Sequence, residues 1–321
     1  MKLFFTIFTV LMATVSFAQR QNVYYLKNNG RYVSIRDSAD YVRIVREPDS
    51  ASVMYNVFEF YLNGKKKLLG KSSTIDPPRF EGQCARFYKN GNKESLTYYK
   101  DGLITGSEYD FYPNGKPYVI KEFPDNKDIY NNLVNHYSII ENYDSLGTAS
   151  VKNGNGYYKG YDNNFKYIEE EGRLENGKRD SVWKGNFKNI KTTFTETYQD
   201  GELISGVATD SSGTTTTYSK SKDVPPAFKG GVEAFGKYLA THIRYPSYEN
   251  EHNIQGRVIL SFVVEKDGKL KDIKVNKSAS SGLDQEAVRV IKNSPLWVPG
   301  TRFGKPVRVI YSVPVSFSLS N

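Results

Sequence analysis

The sequence is short of the residues from which active sites are most often built. Its 321 residues hold one cysteine, Cys84, and three histidines, His136, His242 and His252. A single cysteine excludes an intrachain disulfide. A reactive thiol needs a base or cation beside it and no local pattern supplies one, so Cys84 reads as a buried or half-buried small residue. No histidine pair has HExxH spacing, and no Cys/His set has metal-ligand spacing. His242, on an expected helix, reads as an ordinary residue. Gly-x-Ser-x-Gly, the P-loop and the Rossmann glycine pattern are missing. Neither an enzyme nor a cofactor is expected.

Long apolar runs are also scarce. The one candidate is the opening stretch MKLFFTIFTVLMATVSFA, which ends in the small-x-small pattern Ser16-Phe17-Ala18. It reads as a secretory leader over residues 1–18, cut before Gln19. The other reading is a retained anchor, although Leu3–Ala18 is sixteen residues against the roughly 20 that span a bilayer. No cysteine follows it to carry a lipid. Charge of one sign is not concentrated either. The net +9 comes from 44 Lys and Arg interspersed with 35 Asp and Glu. That pattern suits a soluble charged surface, with no basic stripe and no nucleic-acid partner. The run Glu169-Glu170-Glu171 reads as a solvated face.

Aromatic residues and glycine are plentiful: 25 Tyr, 18 Phe and 26 Gly. They suit pleated, half-buried strands. From residue 19 to 209 one theme recurs, an aromatic pair, one residue, then Asn-Gly or Asp-Gly. The copies are Phe60-Tyr61-Leu62-Asn63-Gly64, Phe87-Tyr88-Lys89-Asn90-Gly91, Tyr98-Tyr99-Lys100-Asp101-Gly102 and Phe111-Tyr112-Pro113-Asn114-Gly115. A weaker one is Thr197-Tyr198-Gln199-Asp200-Gly201. Such pairs predict type I′ turns, with aromatics paired across strands. Glu169–Phe187 adds Trp183 and Gly185 to the same logic. The expected fold is an all-β, repetitive antiparallel meander. Val23–Gly70 adds further strands, and Asp125–Ser150 holds a short helix around Ile129–Ile140. The tandem pattern resembles MORN-type repeats over about Phe80–Pro124 and Tyr157–Tyr218. Residues 210–226, rich in Ser, Thr and Lys and closed by two prolines, read as a linker.

A different pattern fills residues 227–321. Val232, Phe235, Leu239 and Ile243 recur at helical spacing, and Tyr245-Pro246 ends that helix. Val258, Leu260, Phe262 and Val264 alternate with Ile259 and Val263, so both faces carry apolar residues, as in a central strand. Asp267-Gly268 turns the chain into Leu270–Lys277. Ser281 caps a second helix, with Asp284 at capping-box spacing and Leu283, Ala287, Val290 and Ile291 on one face. Pro295 ends it, and Trp297 is expected to plug the core. The last strand alternates strictly from Val307 to Leu319, and its Pro314 predicts an edge strand.

This order of landmarks resembles the C-terminal domain of TonB energy-transducing proteins, most closely the variants of the Bacteroidetes type, over about Pro225–Leu319. The resemblance implies a small domain with a three-stranded antiparallel sheet and two helices; with the meander read from the repeats, the expected fold class is α+β. It implies a periplasmic domain that binds a TonB-dependent outer-membrane receptor, whose box segment adds as a strand to the last β-strand. The pairing edge would be Val307, Arg308, Val309, Ile310, Tyr311, Ser312, Val313, Val315, Ser316 and Phe317. Tyr245 and Pro246 would form a second contact region. The same edge suits self-pairing. Two features depart from a full transducer: the leader reads as cleavable, and the repeats stand where a long Pro-rich span is usual. Inner-membrane proton-channel partners are expected only if the leader is retained. The alternative function is a periplasmic scaffold whose repeats bind a partner or the cell wall, without energy transduction.

Overall fold

The computed structural model describes residues 20–124 and 137–319, so the expected leader lies outside the described residues. These form two compact units. One comprises the residues up to Tyr158 together with Leu174–Lys178. The other comprises Lys159–Arg173 and the chain from Arg179 onward.

The first unit is the expected antiparallel meander. The strands Gln21–Leu26, Tyr41–Arg46, Tyr55–Tyr61, Lys66–Ser72, Phe80–Phe87 and Lys93–Lys100 each pair with the next. Gly106–Phe111, Pro117–Phe123, Ser138–Tyr143 and Ala149–Lys152 continue the series. The helix expected around Ile129–Ile140 is corrected at its end, where Ser138 begins a strand; residues 125–136 lie outside the described residues. Val45, Val57, Leu68 and Cys84 form a core. Burial pushes the Cys84 thiol up to about 11, which keeps it protonated and unreactive.

The turns divide into two kinds. Asp101-Gly102, and Asp200-Gly201 in the second unit, have both residues at positive φ, as type I′ requires. At Asn63-Gly64, Asn90-Gly91 and Asn114-Gly115 only the glycine does, which corrects the type I′ expectation there. The loop is one residue longer at these places. The Tyr61 N–H donates to Lys65 O and the Gly64 N–H to Tyr61 O, both at 2.9 Å. This is the three-residue hairpin that closes on a left-handed glycine. The tyrosine ahead of each such turn hooks the next one. Tyr61 Oη donates to Phe87 O (2.8 Å), Tyr88 Oη to Phe111 O (2.7 Å) and Tyr112 Oη to Tyr143 O (2.8 Å).

In the second unit, residues 181–187 pair with 192–198, 193–199 with 202–209, and 206–209 with 215–218. Aromatic rings here lie over glycines of the neighbouring strand. A Cβ on Gly185 would stand 2.1 Å from the Phe194 ring, and one on Gly206 would stand 2.4 Å from Tyr218. Glycine is therefore required by close approach, and the ring fills the space a side chain would take. Beneath these rings Glu196 is fully buried. Its carboxylate accepts from Tyr198 Oη (3.0 Å) and Tyr218 Oη (2.8 Å) and pairs with Lys222 Nζ at 3.1 Å. Lys222 also reaches Glu170 at 3.2 Å, and Glu170 pairs with Arg179. Burial alone would raise the Glu170 carboxyl, but Arg179 and Lys222 outweigh it and hold it below the ordinary carboxylate range. The run Glu169–Glu171 is thus not the solvated face expected from its charge.

Residues 210–226, read from composition as a linker, hold the strand Thr215–Tyr218 and the ion-pairing Lys222. Asp223–Val224 pairs with Thr301–Arg302. Thr301–Arg302 also pairs with Lys305–Pro306, and from the turn of this hairpin Phe303 inserts its ring among Phe187, Phe194 and Tyr218, at centroid distances of 6.0, 5.6 and 5.5 Å. Thr216 Oγ1 donates to Phe303 O at 2.8 Å, and Lys305 pairs with Asp210.

The remaining elements make a small α+β domain. Helix α1 spans Gly231–His242, α2 Ser247–Glu251 and α3 Ser281–Lys292. Strand β1 (Gly256–Val264) lies between β2 (Leu270–Lys277) and β3 (Val309–Phe317), antiparallel to both. The fully buried Leu283, Ala287, Val290 and Ile291 form the predicted face of α3. Its N-cap is Ser280 rather than Ser281: Ser280 Oγ accepts the Leu283 N–H at 3.2 Å. On α1 the packed face is Ala234, Phe235, Tyr238 and Leu239, followed by Ile243, while Val232 is 88% exposed and points away from the core. Trp297 fills the centre, 5.2 to 5.8 Å from the rings of Phe228, Phe235, Phe262 and Tyr311.

Two carboxylates lock the helices. Glu249, 5% exposed, accepts from the Gly282 N–H (2.9 Å) and Ser280 Oγ (2.8 Å) at the positive end of α3. Glu286 accepts a two-pronged bond from Arg289 and the Arg244 N–H at 2.6 Å. The Arg289 bond holds the Glu286 carboxyl below its ordinary value of 4.5. A lowered folded-state pKa adds stability above the ordinary value and loses it as pH falls through the folded value. The gap in urea midpoint between wild type and Glu286→Gln is therefore expected to be widest near neutrality and to close on acidification below that range. Phe303→Ala should destabilise the second unit by about 3 kcal/mol, read as a shifted urea transition, because it empties a ring-sized site.

Candidate partner-binding edge of the C-terminal sheet

The C-terminal sheet buries one face under the helices and exposes most of the other, on which the central-strand Val263 is covered. On β3, Val313, Val315 and Phe317 are buried under the helices, while Ile310, Ser312, Pro314 and Ser316 are exposed. On β1, Val258, Leu260, Phe262 and Val264 face the same core. Among the described residues β3 has β1 on one side and no strand on the other.

The direction of each free backbone group follows from the hairpin. The Glu265 N–H donates to Lys269 O at 2.9 Å across the β1–β2 turn. Alternation then turns the odd-numbered residues of β1 toward β2 and the even-numbered ones toward β3. Both register shifts between β1 and β2 place the extra residue on β2, so the alternation along β1 is unbroken. Gly256, Val258, Leu260, Phe262 and Val264 therefore exchange bonds with Phe317, Val315, Val313, Tyr311 and Val309. The N–H groups of Ile310, Ser312 and Ser316, and the carbonyls of these residues and Pro314, point to the open side. Pro314 falls where its missing N–H costs the sheet no bond.

The two outer edges are built differently. β2 carries Lys271, Asp272, Lys274 and Lys277, and Asp272 sits at φ 53°. Charge and irregularity of this kind blunt an edge against pairing. β3, with the sequence VIYSVPVSF, carries no charged residue, and its register on β1 is continuous over nine pairs.

Of the residues expected at this edge, Val309, Ile310, Tyr311, Ser312, Val313, Val315, Ser316 and Phe317 lie on β3. Val307 and Arg308 precede it. The Val307 N–H is taken by Gly300 O at 2.8 Å. Arg308 pairs with Glu265 (3.0 Å) and Asp272 (2.8 Å), which braces the outer face. Tyr245 packs edge-on against Phe317, 5.9 Å between ring centres, and its Oη donates to Ile254 O at 2.7 Å. Pro246 is the N-cap of α2. The pair thus stands at the Phe317 end of the open edge, with Tyr245 engaged in packing. His242 and His252 each stack on the tyrosine four residues before, and no cluster of three or more metal-ligating side chains occurs among the described residues. No described helix is long and apolar enough to cross a membrane.

No curated protein matches this chain. A family model does: residues 241–319, from the last turn of α1 to just past β3, match the Gram-negative bacterial TonB protein C-terminal family, and this chain carries a TonB C-terminal domain.

Proposed function

We propose that this is a non-enzymatic protein of the bacterial envelope whose open β3 edge takes a strand from the N-terminal box segment of a TonB-dependent outer-membrane receptor in the periplasm. One observation carries the reading: of two outer edges in one sheet, β2 is blunted by charge and bulges, and β3 presents an uncharged, regular row of free backbone groups. Strand addition needs such a row, because main-chain bonds supply affinity and alternate side chains supply choice. Tyr245 and Pro246 bound the edge at one end. The family match supports the link to energy-dependent transport. Pairing of β3 with the β3 of a second copy would use the same groups and compete with the receptor.

A second reading, a scaffold that binds without transducing energy, is favoured by the Phe303 hairpin, which seats the domain on the end of the repeats. The readings differ in the fate of residues 1–18. A native protein beginning at Gln19 by mass spectrometry supports the scaffold. One beginning at Met1 in the inner-membrane fraction supports an anchored transducer that meets the proton-channel proteins.

Proline substitutions separate the open side from the paired side. Ser312→Pro removes one outward N–H and should weaken binding of a receptor box peptide by about 1 kcal/mol, roughly fivefold, with the urea midpoint nearly unchanged. Val313→Pro removes a bond to β1 and should lower the midpoint itself. Equal peptide affinity for wild type and a well-folded Ser312→Pro would place the partner elsewhere.

A further inference from the structure

The exposed face of the same sheet has an order of its own. Cross-strand partners share a face, and the register makes three rows. They run Lys271–Val263–Ile310, Lys274–Ser261–Ser312 and Lys277–Ile259–Pro314, with the lysines and the β3 residues exposed, Ser261 and Ile259 half-buried and Val263 buried between its neighbours. Each row starts with a lysine on β2 and ends with an uncharged residue on β3. The rows are two residues apart along β1, about 7 Å by strand rise, and the extra residues of β2 bring its lysines into the same rows, within the ~10 Å screening length at moderate salt. Their charges therefore act together.

The carboxylates near this face are occupied. Glu265 and Asp272 are held by Arg308, and Asp267 pairs with Lys269 at 2.9 Å. Lys271, Lys274 and Lys277 are exposed, and none has an ion-pair partner among the described residues. Arg257 adds a fourth cation, with its Nε donating to Ser316 Oγ at 3.3 Å. Ile310 stands on the same face, 75% exposed.

We propose that this face rests on an anionic lipid surface. The cations that are free are lysines, mobile point charges on flexible stems. The guanidinium of Arg308, which would fix a particular carboxylate, is spent on two acids within the protein, and Arg257 gives only its Nε to Ser316. A diffuse negative surface answers a column of point charges without demanding one geometry, and Ile310 can enter the headgroup boundary beside it. Resting so, the sheet would hold the open side of β3 along the membrane plane. The proposal rests on the face and not on the edge, so either can fail alone.

The test uses the full chain and flotation with vesicles of phosphatidylglycerol mixed into phosphatidylcholine, against phosphatidylcholine alone. Wild type should partition to the anionic vesicles and come off as salt is raised. The triple variant Lys271→Gln, Lys274→Gln, Lys277→Gln should partition about a hundredfold more weakly, while the triple Lys→Arg variant stays near wild type. All three share residues 1–18, so any effect of the leader cancels. Matching far-UV circular dichroism and urea midpoints establish equal folding. Equal partition of wild type and the glutamine variant overturns the proposal, as does failure of wild type to prefer anionic vesicles. Binding to soluble polyglutamate as tight as to vesicles also overturns it and assigns the face to an acidic polypeptide.

Discussion

A β-strand offers its hydrogen-bonding groups alternately to its two sides, and that alternation governs this molecule. In the meander each strand finds its partner in the next, and tyrosine hydroxyls such as that of Tyr88 satisfy carbonyls at the turns. In the C-terminal sheet β1 has a strand on each side and β3, among the described residues, on one. The Glu265 N–H fixes the phase of β1, which fixes the phase of β3, so one hairpin bond determines which amides face outward. Buried side chains then lock the face, since a slip of one residue would send Val313, Val315 and Phe317 into water.

The same rule explains what was legible beforehand. Strict alternation from Val307 onward, with Pro314 inside it, marks an edge strand, because only an edge tolerates a missing donor. The apolar face of α3 is legible from its i, i+4 spacing. Val232 misleads because it is the second residue of the helix and lies off the packed face, which begins with Ala234 and Phe235. Ser280 and Ser281 are equivalent as letters, and only the extended backbone at Ser280 makes it the cap. An Asn-Gly pair marks a turn but not its length, so Asn90-Gly91 and Asp101-Gly102 look alike in sequence and differ in φ.

The junction was least legible. Ser, Thr and Lys between two patterns suggest a linker, yet Thr216, Thr217 and Tyr218 extend the repeats and Lys222 neutralises two acids. Those acids, Glu170 and Glu196, lie far away in sequence, so no window of residues shows the pairing. Phe303 is a lone aromatic in a turn until the ring cluster that receives it is assembled. This hairpin pins the element leading into β3 to the last repeats through the Phe303 ring and the Thr216 bond.

Strand addition at β3 depends on the outward direction of particular amides, and amide hydrogen exchange reads that direction residue by residue. Exchange should be followed in the full chain with and without a receptor box peptide. Without it, Val309, Tyr311, Val313, Val315 and Phe317 should already be protected, and Ile310, Ser312 and Ser316 should exchange fast. With it, the second set should become protected. Protection that appears on β2, or on neither edge while the peptide is bound, would contradict strand addition at β3.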